Sequence, residues 1–367
     1  RNLSIPKQPL SMDSTMGTES TDIAIPKDSG LLPWWPENLI VAPIPNREPV
    51  FGWGINLFAG LFLDLDKQHP DTPASSVGMI GWLTENNDYA VGGMGSFNLF
   101  DDNVRIEAAG IYMEMNYKFY GIGSDVSNQG IYLDVNQKMP AYYGNVKYQV
   151  LPNTYLGLGY MGANVDITYS STSPHAPAGL LPISEKSRLS GIELPFQYDT
   201  RDNQQYPHEG WLVDASGIFY RKDIGCDFNA ESYSLAANKY LPVRGSDVLA
   251  LRASTQATSS GSPVFLMSSI GGREDMRGYA YGRYTDKISY ALQAEYRWQL
   301  KESWILTGFA GVAEVAPNYG KLFNDLLPAA GAGVRYTVSK KHKVNLALDI
   351  AVGRHGAEYY FTLGEAF

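Results

Sequence analysis

From Val50 to Phe367 the chain repeats one pattern, an apolar residue at every second position, and no long stretch adopts the 3.6-residue period of a helix. In "FGWGINLFAGLFLDL" the residues Phe51, Trp53, Ile55, Leu57, Ala59, Leu61 and Leu63 share one face, with Gly52, Gly54, Asn56 and Gly60 on the other. The same reading sets Ile192, Leu194, Phe196 and Tyr198 opposite Glu193, Gln197 and Asp199. It sets Tyr290, Leu292, Ala294, Tyr296 and Trp298 opposite Gln293, Glu295 and Arg297, and Val344, Leu346, Leu348 and Ile350 opposite Asn345 and Asp349. One face is apolar and the other wet, so these segments are strands whose two sides meet different solvents.

Turn signals divide the pattern into roughly sixteen strands of the length a bilayer requires, among them 128–138, 141–151 and 358–367. Short turns such as "LPNT" (151–154), "PVRG" (242–245) and "SKKH" (339–342) fall on one side, and the longer segments 170–186 and 259–286 on the other. A soluble sandwich also alternates, but its wet face is usually rich in Lys and Glu. Here that face carries Asn, Gln, Gly and Ser, only 18% of residues are charged, and 13% are aromatic. These features predict an all-β fold, a transmembrane antiparallel β-barrel of about sixteen strands over 49–367. Residues 1–48, rich in Pro, Ser and Thr and closing on "LLPWWPENLIVAPIPNREP", which holds "PWWPE" (33–37), read as a periplasmic or lumenal lead segment. The two tryptophans suit an interfacial anchor, a lumen plug or a contact under the barrel rim, and sequence leaves these open.

Other chemistry is sparse. No run of 18 apolar residues forms a transmembrane helix, and a net charge of -9 argues against nucleic acid as a partner. The single cysteine, Cys226, excludes an internal disulfide framework and reads as a free thiol. The five histidines, His69, His175, His208, His342 and His355, lack metal-ligand spacing, so no metal or cofactor is expected. The glycines of "GAGVRY" precede no helix that could hold a phosphate. The chain starts at Arg1 without an apolar signal region, which reads as a processed or trimmed mature form.

One stretch breaks the alternation: "GGREDMRGYAYGRYTD" (271–286), glycine-punctuated and dense in charge. Its segment Met276, Arg277, Gly278 and Tyr279, after Gly271 and Gly272, resembles the sixth loop of the BamA/TamA superfamily of outer-membrane barrels, also called bacterial surface antigen barrels. "YDTRDNQQYPHEGW" (198–211) is similar to that family's turn motif, represented by Asp199, Asp202, Pro207 and Gly210. "FYGIG" (119–123), "AEYRW" (294–298), "GAGVRY" (331–336) and "FTLGEAF" (361–367) follow in family order, so the resemblance covers about 45–367. Tyr359, Phe361, Leu363 and Phe367 share one face by spacing, and a terminal aromatic of this kind is the usual signal for outer-membrane insertion.

The resemblance implies that the sixth loop folds into the lumen and that Arg277 pairs with acids on the wall, Glu295 first. The family's second acid should follow Phe309, where this chain has Gly311; Glu314 has the wrong parity. It implies a non-enzymatic protein of the bacterial outer membrane acting in membrane biogenesis. Its partners would be phospholipid and lipopolysaccharide, client outer-membrane proteins, and periplasmic or lipoprotein partners. The seam of first and last strands, near Phe361, Leu363, Gly364 and Phe367, would be either a lateral gate or simple closure. The lead segment is too short for a periplasmic POTRA domain, which shifts the expectation toward lipid homeostasis or transport. A passive pore and the barrel of a patatin-like secreted lipase are the alternatives.

Overall fold

The computed structural model describes residues 38–48, 50–69, 72–170, 182–272, 274–340 and 343–367. The "PWWPE" segment, His175 and His342 lie outside them, as does most of the 170–186 segment. The strands are β1 (Leu39–Glu48), β2 (Gly52–Leu63), β3 (Ser75–Thr84), β4 (Tyr89–Leu99) and β5 (Val104–Phe119), followed by a short helix α1 (Ser124–Asn128). Next come β6 (Leu133–Leu151), β7 (Thr154–Ser170), β8 (Ile183–Asp199), β9 (Gly210–Tyr220), β10 (Ala230–Pro242) and β11 (Val248–Thr258). A small ribbon, β12 (Ser268–Ile270) with β13 (Tyr284–Asp286), precedes β14 (Ile288–Lys301), β15 (Trp304–Ala316), β16 (Leu327–Ser339), β17 (Val344–Gly353) and β18 (Gly356–Leu363).

All but the ribbon belong to one 16-stranded antiparallel sheet in chain order, with β11 beside β14 and with β1 and β18 at its two ends. The Arg47 guanidinium of β1 lies 5.3 Å from the Tyr359 ring of β18, so the sheet curls until its ends meet. No hydrogen-bonded ladder joins β1 to β18 among the described residues.

Burial is inverted relative to a water-soluble core. On β14 Glu295 and Arg297 are fully buried while Leu292 and Trp298 are about half exposed. Along β5 to β8 the buried side chains include Arg105, Gln137, Asn145, Lys147 and Glu193, and the exposed ones Tyr142, Tyr148, Leu158 and Leu194. An apolar outside around a polar, hydrogen-bonded inside is the solution for a sheet in a bilayer.

Two strand assignments change. Residues 39–48, expected in the lead segment, form β1, paired with β2 throughout from Leu39↔Leu61 to Glu48↔Gly52. Pro43 and Pro45 obscured it in the sequence, because proline cannot donate to a ladder and fits a strand only at an edge, at its first residue or where the pairing is interrupted. The expected strands 128–138 and 141–151 are the single strand β6. Its pairing with β5 runs through Pro140 opposite Tyr112, whereas its pairing with β7 skips Met139 and Pro140. One strand missed and one split returned the right number.

Candidate functional site: a loop latched in the lumen

The β11–β14 connection turns back into the barrel. The β12–β13 ribbon, paired Ser268↔Asp286 to Ile270↔Tyr284, holds the neck of a hairpin whose tip carries the Met276–Tyr279 segment. Ile270, Met276, Tyr279 and Tyr284 pack with Ala291 of β14, Ala313 of β15 and Leu327 and Ala329 of β16 into one buried cluster. Gly278, at φ +100, takes a left-handed turn, and a Cβ there would press on the Gly353 backbone at 3.2 Å. Its N–H donates to the Tyr360 hydroxyl at 2.8 Å, and the Tyr279 hydroxyl donates to the Pro328 carbonyl at 2.7 Å. Gln293 donates to the carbonyls of Glu274 and Asp275 at 2.6 and 2.7 Å.

Arg277 is 1% exposed. Its Nη2 lies 2.7 Å from Glu295 Oε2, an ion pair whose angle falls outside that of a hydrogen bond. Its Nη1 donates to Asp349 Oδ2 at 2.7 Å, and the guanidinium plane covers the Phe309 ring at 3.5 Å. A guanidinium suits this seat because it can serve two carboxylates and an aromatic face together. Arg335 reaches Asp349 Oδ1 at 2.5 Å and Glu365 Oε2 at 3.0 Å, and Arg297 Nε donates to Glu295 Oε1 at 2.8 Å. Three arginines (277, 297, 335) thus meet three carboxylates (295, 349, 365), a neutral set. Buried charges persist only when paired in this way.

The sequence expectation of Arg277 with Glu295 is the geometry found. The second acid is Asp349 on β17, and two glycines explain its place. At Gly311 a Cβ would lie 3.2 Å from Met276 Sδ and closer still to the β14 backbone, so the family-like position after Phe309 is filled by the loop itself. Gly333, opposite Asp349, leaves the space that the Asp349 carboxylate occupies. Glu314 is buried but remote from the latch, where it accepts the N–H groups of Phe323, Asn324 and Asp325 at 2.6, 2.7 and 2.9 Å.

The turn motif supports the latch from the short-turn rim. Asp199 takes Arg105 at 2.9 Å and Arg201 at 2.9 Å. Asp202 Oδ1 accepts the N–H groups of His208 and Glu209 at 2.8 and 3.2 Å, Pro207 is buried, and Gly210 opens β9. Between them Tyr206, 4% exposed, sits 5.4 Å from the Arg297 guanidinium. Gly271 and Gly272 both have positive φ at the loop neck, and the Gly272 N–H donates to the Tyr279 carbonyl at 3.4 Å.

The chain end departs from its expectation. Phe361 lies on β18 and Leu363 ends it, but at Gly364, φ +85, the path leaves the strand. Glu365 then turns to Arg335, the Phe367 carbonyl accepts from Arg297 Nη2 at 2.7 Å, and Phe367 packs on Tyr240, Val248 and Ala250. Phe367 therefore does not share the outer face with Tyr359, because strand alternation stops once Gly364 breaks the extended backbone.

Comparisons agree with this architecture. The Omp85 superfamily domain matches residues 96–346. No curated protein matches the sequence. Among solved structures, BamA from Haemophilus ducreyi lacking POTRA domains 1–3 aligns with TM-score 0.58 at 14% identity, over 89% of this chain and 69% of that one. CdiB from Escherichia coli aligns with TM-score 0.58 at 11% identity, over 91% and 62%. CdiB from Acinetobacter baumannii aligns with TM-score 0.55 at 11% identity, over 89% and 59%. The match over residues 96–346, more than half of the chain, shows that this chain belongs to the Omp85 superfamily.

Proposed function

We propose that the protein works in the bacterial outer membrane, in membrane biogenesis, by admitting or disturbing lipid or a client strand at the β1–β18 seam while Arg277 keeps the loop fixed in the lumen. No covalent chemistry is part of this role. Its partners are phospholipid and lipopolysaccharide, client outer-membrane proteins, and periplasmic or lipoprotein factors.

One observation carries the reading. The Phe62 N–H donates to the Asn38 carbonyl at 2.8 Å, and the β1–β2 register runs without a shift. Even-numbered residues of β1 therefore turn their backbone groups toward β2, and odd-numbered residues toward β18. Pro43 and Pro45 are odd, so two of the donors that could close the seam do not exist. Proline on an exposed edge is a known device against strand pairing. A barrel meant only to close would gain from those bonds. The latch supports the same reading, because a filled lumen disfavours a passive pore.

The test is a reversible lock. In a Cys226→Ser background, Arg47→Cys with Tyr359→Cys puts one thiol on each side of the seam, closure of the disulfide on oxidation is verified by gel shift, and function in a deletion strain is followed as outer-membrane permeability to a bulky antibiotic. The reading expects complementation to fail when the pair is oxidised and to return on reduction. Full complementation by the oxidised protein would reject the gate and leave simple closure. Large, stable single-channel conductance would favour the passive pore.

A further inference from the structure

At the loop rim, between residues 280–283 of the lumenal loop and the ends of β5 and β6, lies a cleft with a volume of about 580 Å³. That is a size typical of small-ligand sites, roughly 300–1,000 Å³. Its lining includes Asn86, Asn116, Asn136, Lys118, Tyr120 and Arg283, and Asp134 is the one carboxylate in it.

The two cations are held in an unusual way. The Arg283 guanidinium lies over the Tyr120 ring at 4.4 Å, Lys118 Nζ lies over the Tyr132 ring at 4.2 Å, and the two rings are 5.6 Å apart. Among the described residues neither cation has a carboxylate within 4.0 Å; Asp134 sits across the ladder from Lys118, and Arg283 Nε is buried without a hydrogen-bond partner. A ring face positions a cation but does not cancel its charge. The latch shows the contrast, since there each buried arginine meets carboxylates.

The amides are also fixed. Asn136 Nδ2 donates to Asn116 Oδ1 at 2.9 Å, Asn116 Nδ2 to Asp88 Oδ1 at 3.0 Å, and Asn86 Nδ2 to the Phe51 carbonyl at 3.1 Å. Asn116 Nδ2 also donates to the Asn86 carbonyl at 3.4 Å and Asn136 Nδ2 to Glu114 Oε1 at 3.1 Å, so these two amides present carbonyl oxygens as acceptors for hydroxyl groups, and Asn86 keeps one N–H as a donor. Tyr281, 56% exposed in the same lining, offers an aromatic face.

We propose that this cleft binds an anionic saccharide. The phosphate or carboxylate is taken by Arg283 and Lys118, the hydroxyls by Asn86, Asn116 and Asn136, and the apolar face of the ring by Tyr281. A guanidinium matches a phosphate by paired N–H donors, so Arg283 sets the preference for charge. The source is either the phosphorylated sugar of a neighbouring outer-leaflet lipid or a free sugar phosphate, which share this chemistry.

The experiment titrates the full chain in detergent micelles, by calorimetry and saturation-transfer NMR, with glucose 6-phosphate, glucose, and deacylated lipopolysaccharide core oligosaccharide before and after phosphatase treatment. At least one phosphorylated probe is expected to bind about tenfold tighter than its neutral counterpart. Arg283→Ala removes that difference and leaves the weak neutral binding, and Arg283→Lys restores part of it. Glucose 6-phosphate alone binding points to a free sugar, and the oligosaccharide alone to the lipid headgroup. Equal binding of charged and neutral probes, no saturable binding of either phosphorylated probe, or unchanged affinity in folded Arg283→Ala overturns the proposal. If Arg283→Ala does not fold, the wild-type ratio of charged to neutral affinity, together with Asn116→Ala, decides it.

Discussion

Arg277 reaches Asp349, 72 residues further along the chain, at 2.7 Å, while its other nitrogen lies 2.7 Å from Glu295. One guanidinium thus ties the loop to two wall strands that are not neighbours, β14 and β17. It lies flat on Phe309 of β15, between them.

Lysine cannot reproduce that arrangement. Arg277→Lys keeps the charge but has no planar fork to serve both acids and cover the ring, and should cost about 1.5–3 kcal/mol. The urea midpoint of the heat-modifiable folded band measures it. A change within a few tenths of a kcal/mol would mean that charge alone holds the loop.

Space for Asp349 depends on Gly333. A Cβ at that position would overlap the Asp349 carboxylate, so Gly333→Ala should displace the acid and destabilise the latch by about 1–3 kcal/mol. Gly308→Ala is the control, because a Cβ there meets nothing within 4 Å. Equal stability of the two variants would remove the steric argument.

The prolines of β1 can be replaced singly and together. Pro43→Thr with Pro45→Thr adds two N–H groups on the edge facing β18, each worth about 0.5–1.5 kcal/mol if it pairs. Slower amide exchange along β18 and a higher unfolding midpoint are expected, together with weaker complementation. A stabilised variant with full function would separate the seam from activity.

The loop rim should respond to acid. The His355 ring stacks on Tyr284 at 5.9 Å and its Nε2 is 2.7 Å from the Tyr284 hydroxyl. Burial, then Arg283 and Arg354, lowers its pKa below the usual 6.5. The unfolded chain then binds the proton more readily than the folded one. This contribution to stability is full above about pH 6.5 and is lost as pH falls through the lowered folded value. A modest drop in melting temperature between pH 7.5 and 5 is expected, reduced in His355→Gln. An unchanged slope in His355→Gln would assign the acid response elsewhere.

Much of the architecture was legible because lipid and lumen impose opposite solvents on alternate residues. That rule placed Gln293, Glu295 and Arg297 inward and Trp298 outward without any contact being known. It also placed Asp349 inward, but alternation gives only the face and not the height at which a side chain meets the loop. Asp349 therefore could not be matched to Arg277 from the sequence. β1 was hidden for a related reason, since its two prolines fit a strand only where a ladder is open or interrupted, and that is a tertiary property. The inward turn of Glu365 and Phe367 depends on one positive φ at Gly364, which no periodicity reports.

The central structural claim is the coupling of Arg277 to Asp349, and a double-mutant cycle measures it directly. Arg277→Ala and Asp349→Asn are each expected to cost about 3–5 kcal/mol, as removal of one partner of a buried pair does. The double variant should cost less than their sum by at least about 2 kcal/mol. Additive losses, agreeing within about 0.5 kcal/mol, would contradict the latch described here.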